Sequence, residues 1–416
     1  MSDLLSIDQA LARLLEKFSP LDVMSIPLSE AGGRVAAQEL RAAVDLPRFS
    51  NSAMDGFAVR SQDVACAALQ NPCQLQVVAD IPAGASADVL ITEGQAARIM
   101  TGAPIPDGAD AVVPVEHTDF NYRQPGLAAP QFVRVFHPPR QGGNIRWQGE
   151  DIRAGDLVFQ AGRKLRPQDL GLLSMLGLAE LAVYRNPRLA ILSSGDELQP
   201  AGAPLAPGKI YDSNSLMLAA LARQEGAEIL SLGIVPDQLN AVHAALQSAV
   251  EAGVDIILSS AGVSVGAFDF LRAAVEEKGS LDFWKVNMRP GKPLAFGSYC
   301  NIPYIGLPGN PVSAFIGFEV FARPALRKMA GLAPCSRRRV PALIDEDVDS
   351  DGRQNYLRGV AYRSGEILRV RLTGHQGSGN LHSLVEANAL VIIPAGVRRT
   401  PAGSQVDLWL FDDDCA

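Results

Sequence analysis

The stretch that decides the fold reads DIILSSAGVSVGAFDF at residues 255–270, WKVNMRPGKPLAFG at 284–297 and YIGLPGNPVSAF at 304–315. Each piece is a short apolar run followed by a loop rich in Gly, Ser or Pro. Glycine lets a backbone approach a ligand closely, and a loop that leads into a helix offers free N–H groups to an anion. Three such loops close together in the sequence indicate one site for a phosphorylated or oxyanionic ligand.

Strands and helices alternate around these loops. We predict strands at 188–192, 228–234, 255–259 and 304–307, and helices at 215–225, 238–252 and 268–278. A further helix should begin after the GLPGN loop, with Asn310 as its N-cap and Pro311 in its first turn. This alternation predicts a central α/β domain with a parallel-type sheet and helices on both faces. Ligands of such sheets bind at the carboxyl ends of the strands, where the loops lie.

The flanking regions have a different pattern. Residues 6–18 predict a helix whose start, Ser6 and Gln9, fits a capping box. The chain from there to about residue 165 is rich in Gly, Pro and Ala, which predicts β-rich N-terminal domains with long loops. Near the C-terminus, GLAPCSRRR at 331–339 is typical of a linker. After it, short strands at 340–344, 367–372, 389–393 and 405–410 predict a small β-barrel or sandwich.

Composition narrows the class of protein. The chain has 416 residues, too many for one core, with 47% hydrophobic and 20% charged residues, as in ordinary globular proteins. Its net charge of −8 argues against a nucleic-acid surface. We see neither a signal peptide nor an apolar run long enough to span a membrane. The five cysteines are scattered and form no CxxC pair, so we expect no zinc knuckle and no disulfide framework, and a cytoplasmic protein.

Two loops carry candidate anion ligands. Arg289 and Lys292 frame RPGKP, where two prolines and a glycine stiffen the backbone, and such a pair suits a phosphate or a tetrahedral oxyanion. The alternative is a solvated turn with two surface cations. Ser313 lies in the first turn of the helix after GLPGN, beside free N–H groups that suit an anion. Taken alone, the motif is more typical of simple capping, in which Asn310 and Ser313 only satisfy backbone donors. In SSAGVSVGAFDF, Gly262 and Ser264 resemble a phosphate cradle, but the motif is no nucleotide P-loop, and a structural Ser/Gly turn is the alternative.

Carboxylates follow many of the same strands. Glu197, Asp212, Asp237 and Asp269 all follow or adjoin predicted strands of the α/β domain. Oxygen ligands gathered at one end of a sheet suit Mg²⁺ beside phosphate oxygens. Taken singly, each aspartate is more typical of a turn or a helix cap, and Asp212 in particular fits the start of a helix. The five histidines do not cluster, so we predict no catalytic triad.

Long motifs in a fixed order resemble those of the molybdopterin molybdenumtransferase family, the MoeA family, which includes the E domain of gephyrin. The motifs are NSAMDGFAV, IMTGAPIPDGADAVVPVE, GGNIRWQGEDI, SSGDEL, IYDSNS, GVSVGAFDF, RPGKPLAFG and GLPGNPVSA. They run over nearly the whole chain. Arg289 stands where lysine is common in the family, which preserves the charge but changes its geometry.

The resemblance implies a reaction and a set of residues. Molybdate would be inserted into adenylylated molybdopterin with Mg²⁺ assistance and release of AMP. The molybdate positions fall on Arg289, Lys292 and Ser313, and a second anion position on Arg358 and Ser378. The functional polar positions fall on Asp55, Thr101, Asp151, Glu197, Asp237 and Asp269, and we assign Mg²⁺ to Asp237 and Asp269.

The resemblance also implies four domains and a homodimer whose active cleft is shared between protomers. The domains would be a helical and linker domain at 1–50 with 140–184, a β-rich inserted domain at 51–139, an α/β molybdopterin-binding domain at 185–332 and a C-terminal β-barrel at 333–416. The adenylyltransferase that makes the substrate and the proteins that accept the cofactor would be partners.

Three alternatives are weighed against this reading. A molybdopterin adenylyltransferase would share the α/β domain, but the β-rich regions on either side argue against it. A non-catalytic scaffold lacks any appended domain in this sequence. A carrier that binds molybdopterin without inserting metal is harder to exclude, and only an activity assay would separate it from the enzyme.

Overall fold

The chain folds as two compact units. The computed structural model describes residues 4–120, 128–260, 268–333 and 337–412. The larger unit comprises Met1–Gln38, Ala161–Arg166 and Glu180–Ala416, and the smaller unit comprises Glu39–Gln160 and Pro167–Ala179. Among the described helices, none combines the length and the apolar character that crossing a bilayer requires.

The chain up to residue 184 is built mainly from short strands. The helices and strands are α1 Ile7–Leu15, β1 Val23–Pro27, β2 Leu40–Arg41, β3 Asn51–Ser52, β4 Gly56–Val59, β5 Cys73–Ile81, β6 Gln95–Ile99, β7 Ala111–Pro114, β8 Phe132–Val135, β9 Ile145–Arg146, β10 Leu157–Phe159, α2 Pro167–Met175 and β11 Glu180–Tyr184. The predicted capping box of α1 is present, because the Gln9 N–H donates to Ser6 Oγ at 3.1 Å and the Ser6 N–H donates to Gln9 Oε1 at 3.0 Å. The β-rich character expected of this region is confirmed.

The next stretch alternates strands and helices as predicted. Its elements are β12 Arg188–Ser194, β13 Leu198–Gln199, β14 Ile210–Tyr211, α3 Asn214–Gln224, β15 Glu228–Val235, α4 Leu239–Glu251, β16 Ile256–Ser260, α5 Phe268–Lys278, β17 Gly279–Lys285, β18 Met288–Arg289, β19 Pro293–Tyr299, β20 Ile302–Leu307, α6 Pro311–Gly317 and α7 Arg323–Met329. A π-helical turn, Phe318–Ala322, joins the last two helices. Asn310 is the N-cap of α6 and Pro311 lies in its first turn, as predicted, although the Asn310 side chain makes no capping hydrogen bond.

The central sheet has six strands in the order β15-β12-β16-β20-β19-β17. The first four are parallel, and β19 and β17 are antiparallel to their neighbours. Alternate residues of β12 enter different cores: Leu189 and Ile191 pack with α3 and α6, whereas Ala190 and Leu192 pack with α4 and α5. The predicted α/β domain with helices on both faces is therefore confirmed. The carboxyl ends of its four parallel strands lie at Ser194, Val235, Ser260 and Leu307.

The C-terminal part of the larger unit is a closed five-stranded barrel. Its elements are β21 Arg339–Ile344, β22 Val348–Asp349, β23 Gln354–Ser364, β24 Ile367–Leu372, α8 His382–Glu386, β25 Ala389–Ile393, β26 Arg399–Thr400 and β27 Gln405–Leu410. The ring runs β23-β24-β21-β27-β25 and closes through the β23–β25 pairing, as the β-barrel prediction requires. In addition, β18 pairs in parallel with β23, so the barrel holds one strand from the chain that precedes it.

The smaller unit is organised by a five-stranded sheet in the order β7-β4-β6-β5-β8. The β5–β6 pair is parallel and the other pairs are antiparallel. Its two faces bury separate clusters, one around Phe57 and Val113 and the other around Ala58 and Ile99. Both faces are covered because consecutive residues of a strand point to opposite sides of the sheet.

Candidate active site

A cavity of about 1130 Å³ lies in the larger unit. The ends of β12 and β16, the loop after β20, the RPGKP loop and the barrel strand β23 all contribute to its wall. The residues from the sequence prediction that line it are Glu197, Arg289, Lys292, Ser313, Arg358 and Ser378. The structure thus brings together residues that are up to 181 positions apart in the sequence, from 197 to 378.

The two cations of RPGKP differ in their surroundings. Arg289 Nη1 lies 3.5 Å from Asp351 Oδ2, so part of its charge is balanced. Lys292 is exposed and has no carboxylate oxygen within 4 Å among the residues that the structure describes. Between them Gly291 has a φ of +98°, which an L-residue side chain disfavours, so the tight turn requires glycine here. The loop therefore presents two cations to the cavity: Arg289, which is paired with Asp351, and Lys292, which has no carboxylate within 4 Å among the described residues.

Arg353 is a cation of this wall that the sequence did not identify. It lines the cavity and donates to Asp351, which it shares with Arg289. These hydrogen bonds from Arg353, with the nearby charge of Arg289, lower the pKa of the Asp351 carboxyl to about 2. Asp351 therefore stays ionised at neutral pH and holds two guanidinium groups together. No sequence signal marks Arg353, because its position depends on the pairing of β18 with β23.

Arg358 is fully buried at the cavity wall, with 0% of its surface exposed. Its Nε donates to Ser383 Oγ at 2.9 Å and its Nη2 to the Gly377 carbonyl at 3.0 Å, but Nη1 has no hydrogen-bond partner among the described residues. No carboxylate of the described chain forms an ion pair with it, and burial lowers its pKa to about 10. A buried charge without a counter-ion is unfavourable, so this site favours an incoming anion.

The loop that carries Ser378 is hydrogen-bonded to the first turn of α6, which carries Ser313. Ser313 is 3% exposed, and the Val312 N–H donates to the Ser378 carbonyl at 3.1 Å. The sequence predicts that the first N–H groups of this helix are free for an anion. This prediction is wrong for Val312, because the Ser378 carbonyl accepts its N–H. The same hydrogen bond places the loop against the RPGKP side of the cavity.

Asn214 joins two parts of the wall. Its Nδ2 donates to Ser260 Oγ and to the Gly309 carbonyl, both at 2.7 Å. Asp212, two residues earlier, accepts the N–H groups of Asn214 and Ser215 at 3.1 Å. Asp212 thus caps α3, which is the structural alternative that the sequence left open.

Oxygen atoms gather beyond the end of β12. Ser194 Oγ donates to Asp237 Oδ1 at 2.5 Å, and the Asp237 N–H donates to Asp196 Oδ1 at 3.3 Å. Asp196, which the sequence prediction passed over in favour of Glu197, is therefore part of this group. Oxygen ligands of this type fit Mg²⁺, which keeps several waters and uses few protein carboxylates. Within the described residues, no three Asp, Glu, His or Cys side chains come close enough to hold a metal on their own.

Three predicted positions lie outside what the structure describes. Gly262 and Ser264 fall in residues 261–267. Asp269 is in the first turn of α5, but its side chain is outside the described part of the chain. The predicted phosphate cradle and the Asp237–Asp269 metal pair thus stay predictions.

The remaining predicted residues lie in the smaller unit. Thr101 donates to Asp55 Oδ1 twice, through its N–H at 2.8 Å and through Oγ1 at 2.7 Å. Asp151 accepts from Arg146 Nη2 at 2.8 Å, and both side chains are about half exposed. A backbone hydrogen bond of 2.9 Å from the Ala53 N–H to the Asn144 carbonyl connects the segments that carry Asp55 and Asp151. The structure therefore brings Asp55 and Thr101 into direct contact.

An α/β domain, a closed barrel after it and a cavity between them that is lined by four basic and four acidic side chains define a multidomain protein with a charged ligand site. Comparison with known families makes this specific. The chain matches three family descriptions in order: "MoeA N-terminal region (domain I and II)" over residues 5–177, "Probable molybdopterin binding domain" over 190–328, and "MoeA C-terminal region (domain IV)" over 342–411. The chain belongs to the MoeA family.

Named relatives agree with this assignment. The chain is 39% identical over 395 residues to molybdopterin molybdenumtransferase 2 of Mycobacterium tuberculosis, covering 93% of this chain and 94% of that one. It is 35% identical to molybdopterin molybdenumtransferase of Haemophilus influenzae, covering 98% and 99% of the two chains. Among solved structures, a molybdopterin biosynthesis MoeA protein from Pyrococcus horikoshii OT3 superposes with a TM-score of 0.80 at 32% identity, covering 98% and 100%.

Proposed function

We propose that this protein inserts molybdate into adenylylated molybdopterin, with Mg²⁺-dependent release of AMP. The observation that carries this proposal is Arg358, a buried guanidinium without a carboxylate partner in the described chain, on the wall of a cavity that also holds Lys292. The names of the relatives, molybdopterin molybdenumtransferase, supply the substrate class. An acidic protein that carries this local positive group is suited to a small, highly charged anion.

Molybdate is a tetrahedral dianion, and we assign it to the side of the cavity formed by Lys292, Arg289 and Ser313. Lys292 contributes a full charge that no described carboxylate balances. Arg289 contributes a planar group whose direction Asp351 fixes. The Ser313 hydroxyl is buried at the same wall and donates to one oxyanion oxygen. The dithiolene sulfurs that bind molybdenum belong to the pterin, so no cysteine of the protein is required.

We assign the pyrophosphate of the adenylylated pterin to Arg358 and the loop of Ser378. Arg358 is held by Ser383 and Gly377, so its guanidinium is fixed before a ligand enters. Fixed donors stabilise charge without reorganising during the reaction. Residues of both proposed anion positions line the same cavity, so molybdate would bind next to the pterin that receives it.

The release of AMP requires attack on the adenylyl phosphorus. We propose water as the nucleophile, positioned by Glu197. The oxygen of this water bonds to the adenylyl phosphorus, and the bond between that phosphorus and the pterin phosphate breaks. AMP then leaves. Mg²⁺, held by Asp237 and Asp269, would neutralise phosphate charge. Ser194 orients Asp237 by donating to one of its oxygens, and Asp196 fixes its backbone. Asp55, Thr101 and Asp151 are proposed to act in the same reaction.

The test combines purified protein with adenylylated molybdopterin, molybdate and Mg²⁺, and follows AMP and inserted molybdenum together. We expect both products to form in equal amounts and both to be lost when a chelator removes Mg²⁺. AMP release without molybdenum insertion would leave only a hydrolase. Tight pterin binding without either product would identify a cofactor carrier and overturn the proposed activity.

We also propose that the chain works as a homodimer in the cytoplasm. The reaction needs an adenylyltransferase that supplies its substrate and acceptor proteins that receive its product, both as partners. Gel filtration of the purified chain with light-scattering detection should give a particle of twice the 44.2 kDa chain. Cell fractionation should recover the chain in the cytoplasmic fraction. A mass equal to one chain would contradict the dimer, and recovery in another cell fraction would contradict the compartment.

A further inference from the structure

Two cysteines flank a tight turn in the smaller unit. Ala68 and Asn71 exchange two backbone hydrogen bonds, of 3.0 and 2.9 Å, around the intervening pair of residues. In an antiparallel register, the residues two positions further out on each side also lie opposite each other. These residues are Cys66 and Cys73, and their sulfur atoms are 3.6 Å apart. The turn therefore holds two thiols close together and facing each other.

The two thiols have different surroundings. Cys66 is exposed, whereas Cys73 is half-buried and begins β5, where it lies opposite Val135. Cys73 also packs against the apolar cluster that contains Leu75 and Val133. Burial raises the pKa of the Cys73 thiol, and the contact with Cys66 raises it further. A dissolved oxidant thus reaches Cys66 first, while Cys73 is kept as a neutral thiol beside it.

We propose that Cys66 and Cys73 form a reversible oxidation site for peroxides, with Cys66 as the attacked thiol and Cys73 as the resolving thiol. In the first step the Cys66 sulfur takes one oxygen from hydrogen peroxide, giving a sulfenic acid and releasing water. In the second step the Cys73 sulfur displaces that oxygen, which leaves as a second water, and the disulfide forms. Peroxide is the oxidant, and the two thiols are oxidised together by two electrons. A dithiol reductant restores the pair.

The position of Cys66 and Cys73 in the sheet predicts which part of the smaller unit the disulfide leaves unchanged. β5 has nine residues and spans about 26 Å, with Cys73 at its start. Its far end pairs Ile81 with Ile99, and Thr101 follows two residues later. The new bond therefore forms at the end of the sheet remote from the Asp55–Thr101 contact. It ties the start of β5 to the preceding turn and leaves that contact unchanged.

The test treats the reduced full chain with graded hydrogen peroxide and then maps its peptides by mass spectrometry. We expect the peptide that contains residues 66–73 to lose two hydrogen atoms before Cys300 is modified, and to regain them with dithiothreitol. Cys300 is the internal control, because it is also half-buried but has no described sulfur neighbour. Peptide mapping also separates the pair from Cys335 and Cys415, which lie outside the described residues.

Single variants test the assigned order. With Cys73→Ser, we expect Cys66 to stop at the sulfenic acid, which dimedone traps. With Cys66→Ser, Cys73 should react no faster than Cys300. Equal reactivity of Cys66 and Cys73 in the two variants would overturn the assigned roles. Failure of the wild-type peptide to form the disulfide before Cys300 reacts, or formation only between two chains, would overturn the site itself.

Discussion

Replacing Arg358 with Met is expected to abolish pyrophosphate binding in the cavity and, in the absence of ligand, to make the fold more stable. Opposite changes in function and stability are unusual for a fully buried residue, and they follow from its surroundings. The guanidinium has no counter-ion among the described residues, and methionine fills a similar apolar volume. The proposed role of Arg358 in anion binding thus lowers the stability of the fold, as is common at functional sites.

The direction of the expected stability change follows from the pKa of the Arg358 guanidinium. The folded protein lowers the pKa of Arg358 to about 10, because burial disfavours the charged form. The charged group therefore destabilises the fold at every pH below about 10, and the penalty fades as the pH rises above that value. At pH 7 it is on the order of 3 kcal/mol. Losing the hydrogen bonds to Ser383 and Gly377 offsets part of this gain, which leaves a net stabilisation of about 1 kcal/mol.

Thermal unfolding with and without inorganic pyrophosphate measures both effects. We expect pyrophosphate to raise the melting temperature of the wild type and to leave that of Arg358→Met unchanged, although the variant starts higher. Arg363→Met is the matched control, since Arg363 is exposed on the same strand and away from the cavity. A variant that still gains stability from pyrophosphate would show that Arg358 takes no part in binding that anion.

Replacing Glu319 with Gln is expected to destabilise the larger unit by about 3–5 kcal/mol. Glu319 is 1% exposed and accepts two hydrogen bonds from Arg337, at 2.9 and 3.0 Å. Arg323 Nε lies 3.9 Å from the same carboxylate and 2.6 Å from Glu225. Removing the charge of Glu319 leaves buried guanidinium groups without adequate compensation.

The location of this cluster explains the size of the expected effect. Arg337 also donates to the carbonyl groups of Leu410 and Phe411, at 3.4 and 2.7 Å. Glu319 lies in the π-helical turn between α6 and α7, so the pair joins that helix to the end of the last barrel strand. Arg337 lies in GLAPCSRRR, which the sequence predicts to be a linker, and it is buried and hydrogen-bonded to Glu319 and to these two carbonyl groups.

Urea unfolding of the variants measures the loss. Glu366→Gln is the control, because Glu366 is exposed in the turn between β23 and β24 and should leave the midpoint unchanged. The double variant Glu319→Gln with Arg337→Met should lose less than the sum of the two single variants, since the two side chains compensate each other. Additive losses would mean that they do not interact.

The sequence was sufficient where local rules decide the structure. The capping box of α1 and the alternation from β12 to α6 follow from patterns within a few residues, and the structure confirms both. The sequence predicts both the GLPGN and the RPGKP loops at the carboxyl ends of parallel strands. GLPGN does follow the parallel strand β20, but RPGKP lies between β18 of the barrel and the start of the antiparallel strand β19. The cavity contains residues from both loops.

Features set by contacts distant in sequence could not be predicted. Glu319 and Arg323 look like surface charges on an amphipathic helix, and only the arrival of Arg337 from another segment makes their burial possible. The closeness of Cys66 and Cys73 depends on a turn whose residues, ALQN, carry no strong turn signal. Arg353 reaches the cavity only because β18 pairs with β23.

The RPGKP loop is anchored at both ends in different sheets. Arg289 ends β18, which belongs to the barrel, and Pro293 begins β19, which belongs to the central sheet. Only residues 290–292 connect the two sheets, so the backbone that carries Arg289 and Lys292 cannot move far without breaking a β ladder. The entropy of ordering this loop is lost during folding and not when the anion arrives. Anion affinity should therefore depend little on loop closure, and association should be fast and sensitive to ionic strength.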